Sequence, residues 1–158
     1  QKCSNVYFLG CEAYDNDNDG FHIEPDVVDI TFDNCKAHTN GEHGFYFIGQ
    51  GGHEILRPTI RGCQSWNNGQ LANRDGIAII SCNDVNVLNN VLYDNQSPVH
   101  TQRYGLFLST ITNGMIAGNV IFGSLTNDAI LFIQIPFVAP SIAALKTAIG
   151  TERWRRHI

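Results

Sequence analysis

Asp15-Asn16-Asp17-Asn18-Asp19-Gly20 spaces three carboxylates two residues apart, and Asp26 stands at the twelfth position counted from Asp15. Carboxylates at this spacing can converge on one hard cation, as in the first half of a DxDxDG calcium loop. Asp15, Asp17, Asp19 and Asp26 are therefore the candidate ligands for calcium. His22 and Glu24 follow in the segment GFHIEP, and Tyr46 takes the same place after Gly44 that His22 takes after Gly20. Arg74 and Asp75 precede Gly76, and His100 and Arg103 lie in DNQSPVHTQRYG. Asp29, Glu42, His43, His53 and Glu54 are close by in sequence. Such a set suits proton transfer at a carbon beside a carboxylate, which needs a cation to neutralise that carboxylate, a base for the proton and an acid for the leaving oxygen. His22, Tyr46 and Arg74 can fill these roles. Glu24, Asp26 and Asp75 would instead supply the carboxylate pair of a glycoside hydrolase.

These groups can meet only if separate stretches of chain are stacked in register, and the sequence repeats in a way that does this. Cys11, Cys35, Cys63, Asn90 and Asn119 close equivalent strands, at steps of 24, 28, 27 and 29 residues. Gly20, Gly44, Gly76, Gly105 and then Ala129 open the next strand. After each come apolar residues at period two: Phe21 and Ile23, Phe45 and Phe47, Ile77 and Ile79, Leu106 and Leu108, Ile130 and Phe132. Alternation is the strand signal, and a fixed period of 20–50 residues signals a solenoid. The reading is an all-β solenoid of about five parallel coils over residues 1–133. A short helix with Ser141 as N-cap falls within a C-terminal cap or tail over 134–158. The glycine before each strand is expected to serve a turn needing positive φ.

Columns follow from this register. Asn16, Asn40, Asn68 and Asn95, ending at Ser124, read as an amide ladder in the turns. Asn34 and Asn89 alternate with Gly10, Gly62 and Gly118 at a corner. Glu12 should face Lys36, and Asp33 should face Arg61. Tyr14, His38, Trp66, Tyr93 and Phe122 form an outward aromatic row. With His100 and Arg103, its first four members are candidate substrate-binding residues, because sugar rings stack on exposed aromatic faces. The long turns NNGQLANRDG and DNQSPVHTQRYG should stand side by side as a wall.

Composition narrows the partners. A formal net charge of −5 argues against nucleic acid, which calls for a basic face. No apolar run reaches membrane-spanning length. The five cysteines form no CxxC pair, which argues against zinc. Cys11, Cys35 and Cys63 read as a buried ladder of free thiols. The chain begins inside the repeat pattern and so reads as a piece of a longer protein.

The repeat resembles the right-handed parallel β-helix of the pectate-lyase-like superfamily. The wording GF…VDITFDNCKAHTNGEHGF is similar to the β-helical module of alginate C5-epimerases and of phage tailspikes. The resemblance implies a carbohydrate-active module, a lyase, epimerase or hydrolase, acting on or binding an acidic polysaccharide outside the cell or on a virion surface. The epimerases carry DPHE after a Gly-Phe strand start, whereas this chain has Gly20-Phe21-His22-Ile23-Glu24-Pro25. The residue types overlap but the order differs, so the family's catalytic set is not carried over. The fold hosts many functions. The rival reading is a non-catalytic structural or adhesin solenoid, in which a homotrimer would bury the aromatic row.

Overall fold

The computed structural model describes residues 2–96, 98–123 and 130–133. Ser124, Ala129 and the cap or tail over 134–158, with its short helix, lie outside the described residues. The described chain forms three parallel sheets wound around one core. The first sheet holds β1 (Cys3–Leu9), β4 (Val27–Asp33), β7 (Ile55–Leu56), β8 (Thr59–Arg61), β11 (Cys82–Asn83), β12 (Val85–Leu88) and β15 (Gly114–Ala117). The second holds β2 (Glu12–Tyr14), β5 (Lys36–His38), β9 (Gln64–Trp66), β13 (Val91–Tyr93) and β16 (Val120–Phe122). The third holds β3 (Phe21–Ile23), β6 (Phe45–Ile48), β10 (Ile77–Ile80), β14 (Leu106–Ser109) and β17 (Ile130–Ile133). No helix occurs among the described residues, and none is long and apolar enough to cross a membrane.

The register read from the repeat is the register of the fold. Phe21, Phe45, Ile77, Leu106 and Ile130 are successive partners across the third sheet. Phe45, Phe47, Ile77, Ile79, Leu106 and Leu108 are buried in the core, because alternate residues of each strand face inward. The second sheet pairs Tyr14 with His38, His38 with Trp66, Trp66 with Tyr93 and Tyr93 with Phe122. The described cysteines are free thiols. Those of Cys35 and Cys63 donate to backbone carbonyls of the coil below, at Phe8 and Phe32. At Asn90 the column changes character: its Oδ1 accepts the Cys63 N–H, and its own N–H donates to Asn119 Oδ1.

Two readings of the turns are corrected. Gly10, Asn34, Gly62, Asn89 and Gly118 do take positive φ, between 53° and 66°. The glycines that open the strands of the third sheet do not. None of Gly20, Gly44, Gly76 and Gly105 has a positive φ. A Cβ on Gly20 would lie 2.7 Å from Gly44 O, one on Gly44 2.5 Å from Gly76 O, and one on Gly76 2.8 Å from Gly105 O. Glycine is required there by close backbone approach between coils rather than by turn geometry.

The amide ladder is also differently composed. Asn16 Nδ2 donates to Asn40 Oδ1, and Asn40 Nδ2 donates to Asn68 Oδ1, each at 2.9 Å. The next rung is Gln102, whose Oε1 faces Asn68 Nδ2 at 3.4 Å. Asn95 pairs with Asn67 instead. The longer turn of that coil folds around Asp94, which accepts from the N–H groups of Gln96, Thr101 and Gln102. The chain therefore re-enters the ladder seven residues later than the count from Asn68 suggests.

Candidate functional site

The outward face of the third sheet begins two residues after each register glycine. His22 on β3 is beside Tyr46 on β6, and their rings meet edge to face with centroids 4.9 Å apart. His22 Nδ1 lies 2.9 Å from Asp19 Oδ2, and Nε2 lies 3.1 Å from Glu24 Oε1. The two carboxylates differ in setting: the Asp19 side chain is 4% exposed and that of Glu24 is 70% exposed. Asp19 also accepts the His43 N–H at 2.8 Å. Burial raises its pKa against that hydrogen bond. Tyr46 is pushed up as well, by burial first and then by the negative charge of Asp19.

A second column lies one residue before the glycines: Asp19, His43, Asp75 and Tyr104. Each backbone N–H donates to the side chain one coil below. The His43 N–H donates to Asp19, the Asp75 N–H to His43 Nδ1 at 3.1 Å, and the Tyr104 N–H to Asp75 Oδ1 at 3.3 Å. Since His43 Nδ1 is an acceptor, the neutral ring carries its proton on Nε2. Burial, with Arg74 and Arg103 nearby, lowers the His43 pKa to about 3. The 3.6 Å between His43 Nδ1 and Asp75 Oδ2 is thus a contact and not an ion pair. The His43 ring stacks on Tyr46 with centroids 4.6 Å apart.

Asp75 is fully buried and receives two hydrogen bonds from Arg103, at 3.0 and 2.8 Å. Burial raises its pKa, and the guanidinium works against the rise. Arg103 lies over the rings of Tyr104 and Phe107. Arg74 and Glu42 stand one residue further from the sheet, with Arg74 Nε 3.4 Å from Glu42 Oε2. The two long turns do run side by side, joined by Arg103 N–H to Arg74 O and by Thr101 Oγ1 to Asn68 O. His100 turns toward Asp94, 3.3 Å away.

The fold thus brings His22, Glu24, Tyr46, Arg74 and Asp19 onto one face and places Asp75 and Arg103 beneath the wall beside it. Asp26 faces His53 at 3.1 Å, and Asp15 and Asp17 stay exposed in their turn. The group of possible metal ligands brought within 4.8 Å of one another among the described residues is Asp19, Glu42 and His43. It shares only Asp19 with the calcium ligands read from the sequence. His43 fits a metal poorly: Nδ1 already accepts an N–H, and Nε2 holds the ring proton. Asp29 pairs with Arg57 and Glu54 with Asn83, both away from this face. Glu42 and His43 lie close to the site in sequence, and their residue types alone assign them no role in it. Their signal is positional: counting back from each register glycine puts Asp19, His43 and Asp75 in one column.

The aromatic row is continuous. Successive ring centroids from Tyr14 to Phe122 are 5.1, 4.1, 5.8 and 5.2 Å apart, and successive planes differ by at most 12°. The ring faces therefore meet each other, and Tyr14 and Phe122 remain about half exposed at the described ends.

A family model described as right handed beta helix region matches residues 1–131. Among solved structures, the chain is similar to the A-module of the Azotobacter vinelandii mannuronan C-5 epimerase AlgE4. The identity is 17% and the TM-score 0.41, over 84% of this chain and 53% of that one. This chain thus spans about half the length of the structure it matches. Comparison with the curated proteins gave no match.

Proposed function

The chain belongs to the right-handed β-helix family, and on that premise we propose that it is a carbohydrate-active module engaging an acidic polysaccharide at the face around His22. The setting expected for such a module is extracellular or on a virion surface. The observation that carries the reading is His22 held between a buried and an exposed carboxylate against a phenol. Asp19 retains the Nδ1 proton and fixes the ring. Nε2 faces Glu24, so it becomes the base once its proton has passed to the Glu24 carboxylate, which swings aside and leaves Nε2 to take a proton from the sugar carbon next to a carboxylate. Tyr46, whose raised pKa keeps the phenol protonated at neutral pH, suits the acid that serves the leaving oxygen. Arg74 supplies positive charge for the substrate carboxylate. β-Elimination and C5 epimerisation share the base and the neutralising cation; in elimination the acid protonates the leaving oxygen, and in epimerisation the acid returns a proton to C5 from the opposite face. Hydrolysis has weaker support, because Asp75 is buried and Asp26 faces His53. Of the three carboxylates read for hydrolysis, only Glu24 stands open beside His22.

The test is turnover of alginate, pectate and neutral glycans. Unsaturated-product absorbance reports elimination, polymer NMR reports epimerisation and reducing ends report hydrolysis. His22→Ala and Tyr46→Phe should each lower elimination or epimerisation by roughly 100-fold or more with circular dichroism unchanged. Full activity in His22→Ala would sink the assignment. Inactivity of the intact protein on every polymer would favour the second reading, a non-catalytic structural or adhesin solenoid. One observation supports that alternative: the aromatic row spends its ring faces on coil-to-coil stacking. A trimer in sedimentation, dissociated by Tyr14→Ser or Phe122→Ser, would belong to it.

A further inference from the structure

Four arginines occur among the described residues, and three of them hold a carboxylate in short hydrogen bonds. Arg57 holds Asp29 at 2.6 and 2.9 Å, Arg61 holds Asp33 at 3.0 and 2.7 Å, and Arg103 holds Asp75 at 3.0 and 2.8 Å. Arg74 differs. Its Nε is shielded from solvent and has no hydrogen-bond partner. Glu42 Oε2 stands 3.4 Å away, within ion-pair range but outside hydrogen-bond geometry. Both side chains are partly open, 42% for Arg74 and 33% for Glu42. The backbone of Glu42 is pinned on both sides: its N–H donates to Asn18 O, and its carbonyl accepts from Gly69 N–H. The carboxylate can therefore swing away without moving the coil.

We propose that Glu42 is a built-in stand-in for the substrate carboxylate, and that Arg74, which it faces, is the subsite for a uronate group. This inference rests on the polysaccharide reading above and adds its specificity determinant. A guanidinium with a shielded, unsatisfied Nε gains most from a carboxylate that approaches in its own plane and accepts two parallel hydrogen bonds. Glu42 does not do so here: its Oε2 stands 3.4 Å from Arg74 Nε, and Nε makes no hydrogen bond. An incoming uronate can, while the displaced Glu42 relaxes into solvent. A neutral sugar offers nothing to displace Glu42, so the pair also discriminates by charge. Arg74 is close enough to Tyr46 and His43 to influence both electrostatically, so the bound carboxylate would lie beside the proposed acid.

Calorimetric titration with hexagalacturonate, hexamannuronate and cellohexaose, in chelator at fixed ionic strength, tests this. Removing the competing charge in Glu42→Gln should tighten both oligouronates about three- to tenfold and leave cellohexaose unchanged. Arg74→Gln should weaken the oligouronates about tenfold or more, and adding Glu42→Gln to it should restore nothing. Oligouronate binding that is unchanged or weaker in Glu42→Gln overturns the stand-in while sparing the polysaccharide reading. Binding that appears only with added calcium and vanishes in Glu42→Gln also overturns it, in favour of a cation bridge. Binding of cellohexaose alone overturns the uronate subsite. No binding of any oligosaccharide by the folded wild-type protein or by Glu42→Gln removes both readings.

Discussion

Gly44→Ala separates two explanations for the glycine column, and the structure supports a worked magnitude. The φ of Gly44 is not positive, so alanine carries no backbone penalty there. Its Cβ, however, would lie 2.1 Å from Ser65 Oγ, 2.5 Å from Gly76 O and 2.9 Å from Asn68 Nδ2. Ser65 can rotate only by giving up its 2.8 Å hydrogen bond to Gly76 O, and the Gly76 carbonyl belongs to the next coil. Relief requires the coils to part where Gly44 N–H meets Asp75 O at 3.1 Å and Phe45 N–H meets Gly76 O at 3.0 Å. Overpacking costs about 1–3 kcal/mol and each weakened buried hydrogen bond about 1 kcal/mol. The expected destabilisation is roughly 3–5 kcal/mol. Gly51→Ala is the control. Gly51 has φ +62° and nothing within 4 Å of its Cβ position, so only the left-handed strain of about 1 kcal/mol applies. Urea unfolding of both variants, with midpoint and slope fitted separately, measures the difference. Hydrogen exchange at Phe45 would localise the opening. A Gly44→Ala cost below that of Gly51→Ala would refute the close-approach account.

His43 should make folding pH-dependent. Its pKa is about 3 in the folded chain and about 6.5 unfolded. Between those values the unfolded chain binds the extra proton, so stability is complete above about pH 6.5 and falls as pH drops toward 3, by up to about 1.4 kcal/mol per pH unit. Asp19 and Asp75, both raised, act in the opposite sense as pH falls toward the carboxylate range. The comparison is therefore wild type against His43→Gln in urea titrations from pH 7 to 4, and equal slopes would refute the assignment. Arg103→Ala leaves Asp75 buried without its bidentate partner and should cost about 3–5 kcal/mol at pH 7. The loss should shrink as pH falls and Asp75 takes up a proton; a loss that is flat with pH would point to packing alone. Calcium at millimolar concentration should raise the melting temperature if Asp19 with Glu42 holds the ion. No shift in wild type, or an equal shift in Asp19→Asn, removes calcium from these groups.

The sequence by itself determined the solenoid, its register and its outward columns. Parallel stacking imposes one period on every coil, so inward residues, the aromatic row and the pairs Glu12–Lys36 and Asp33–Arg61 recur at countable offsets. Positive φ, expected at the strand-opening glycines, falls instead at the corner filled by Asn and Gly. Counting fails where turns differ in length. The extra residues after Asp94 shift the amide ladder to Gln102 and leave Asn95 opposite Asn67, which only the folded path of that turn decides. Tertiary packing also decided which charged groups stay open. Arg74 and Asp75 are neighbours in sequence, yet one is left under-satisfied at the surface and the other is sealed beneath Arg103. Solvent access and hydrogen-bond geometry depend on what the adjacent coil places overhead, and a linear pattern of residue types does not carry that information.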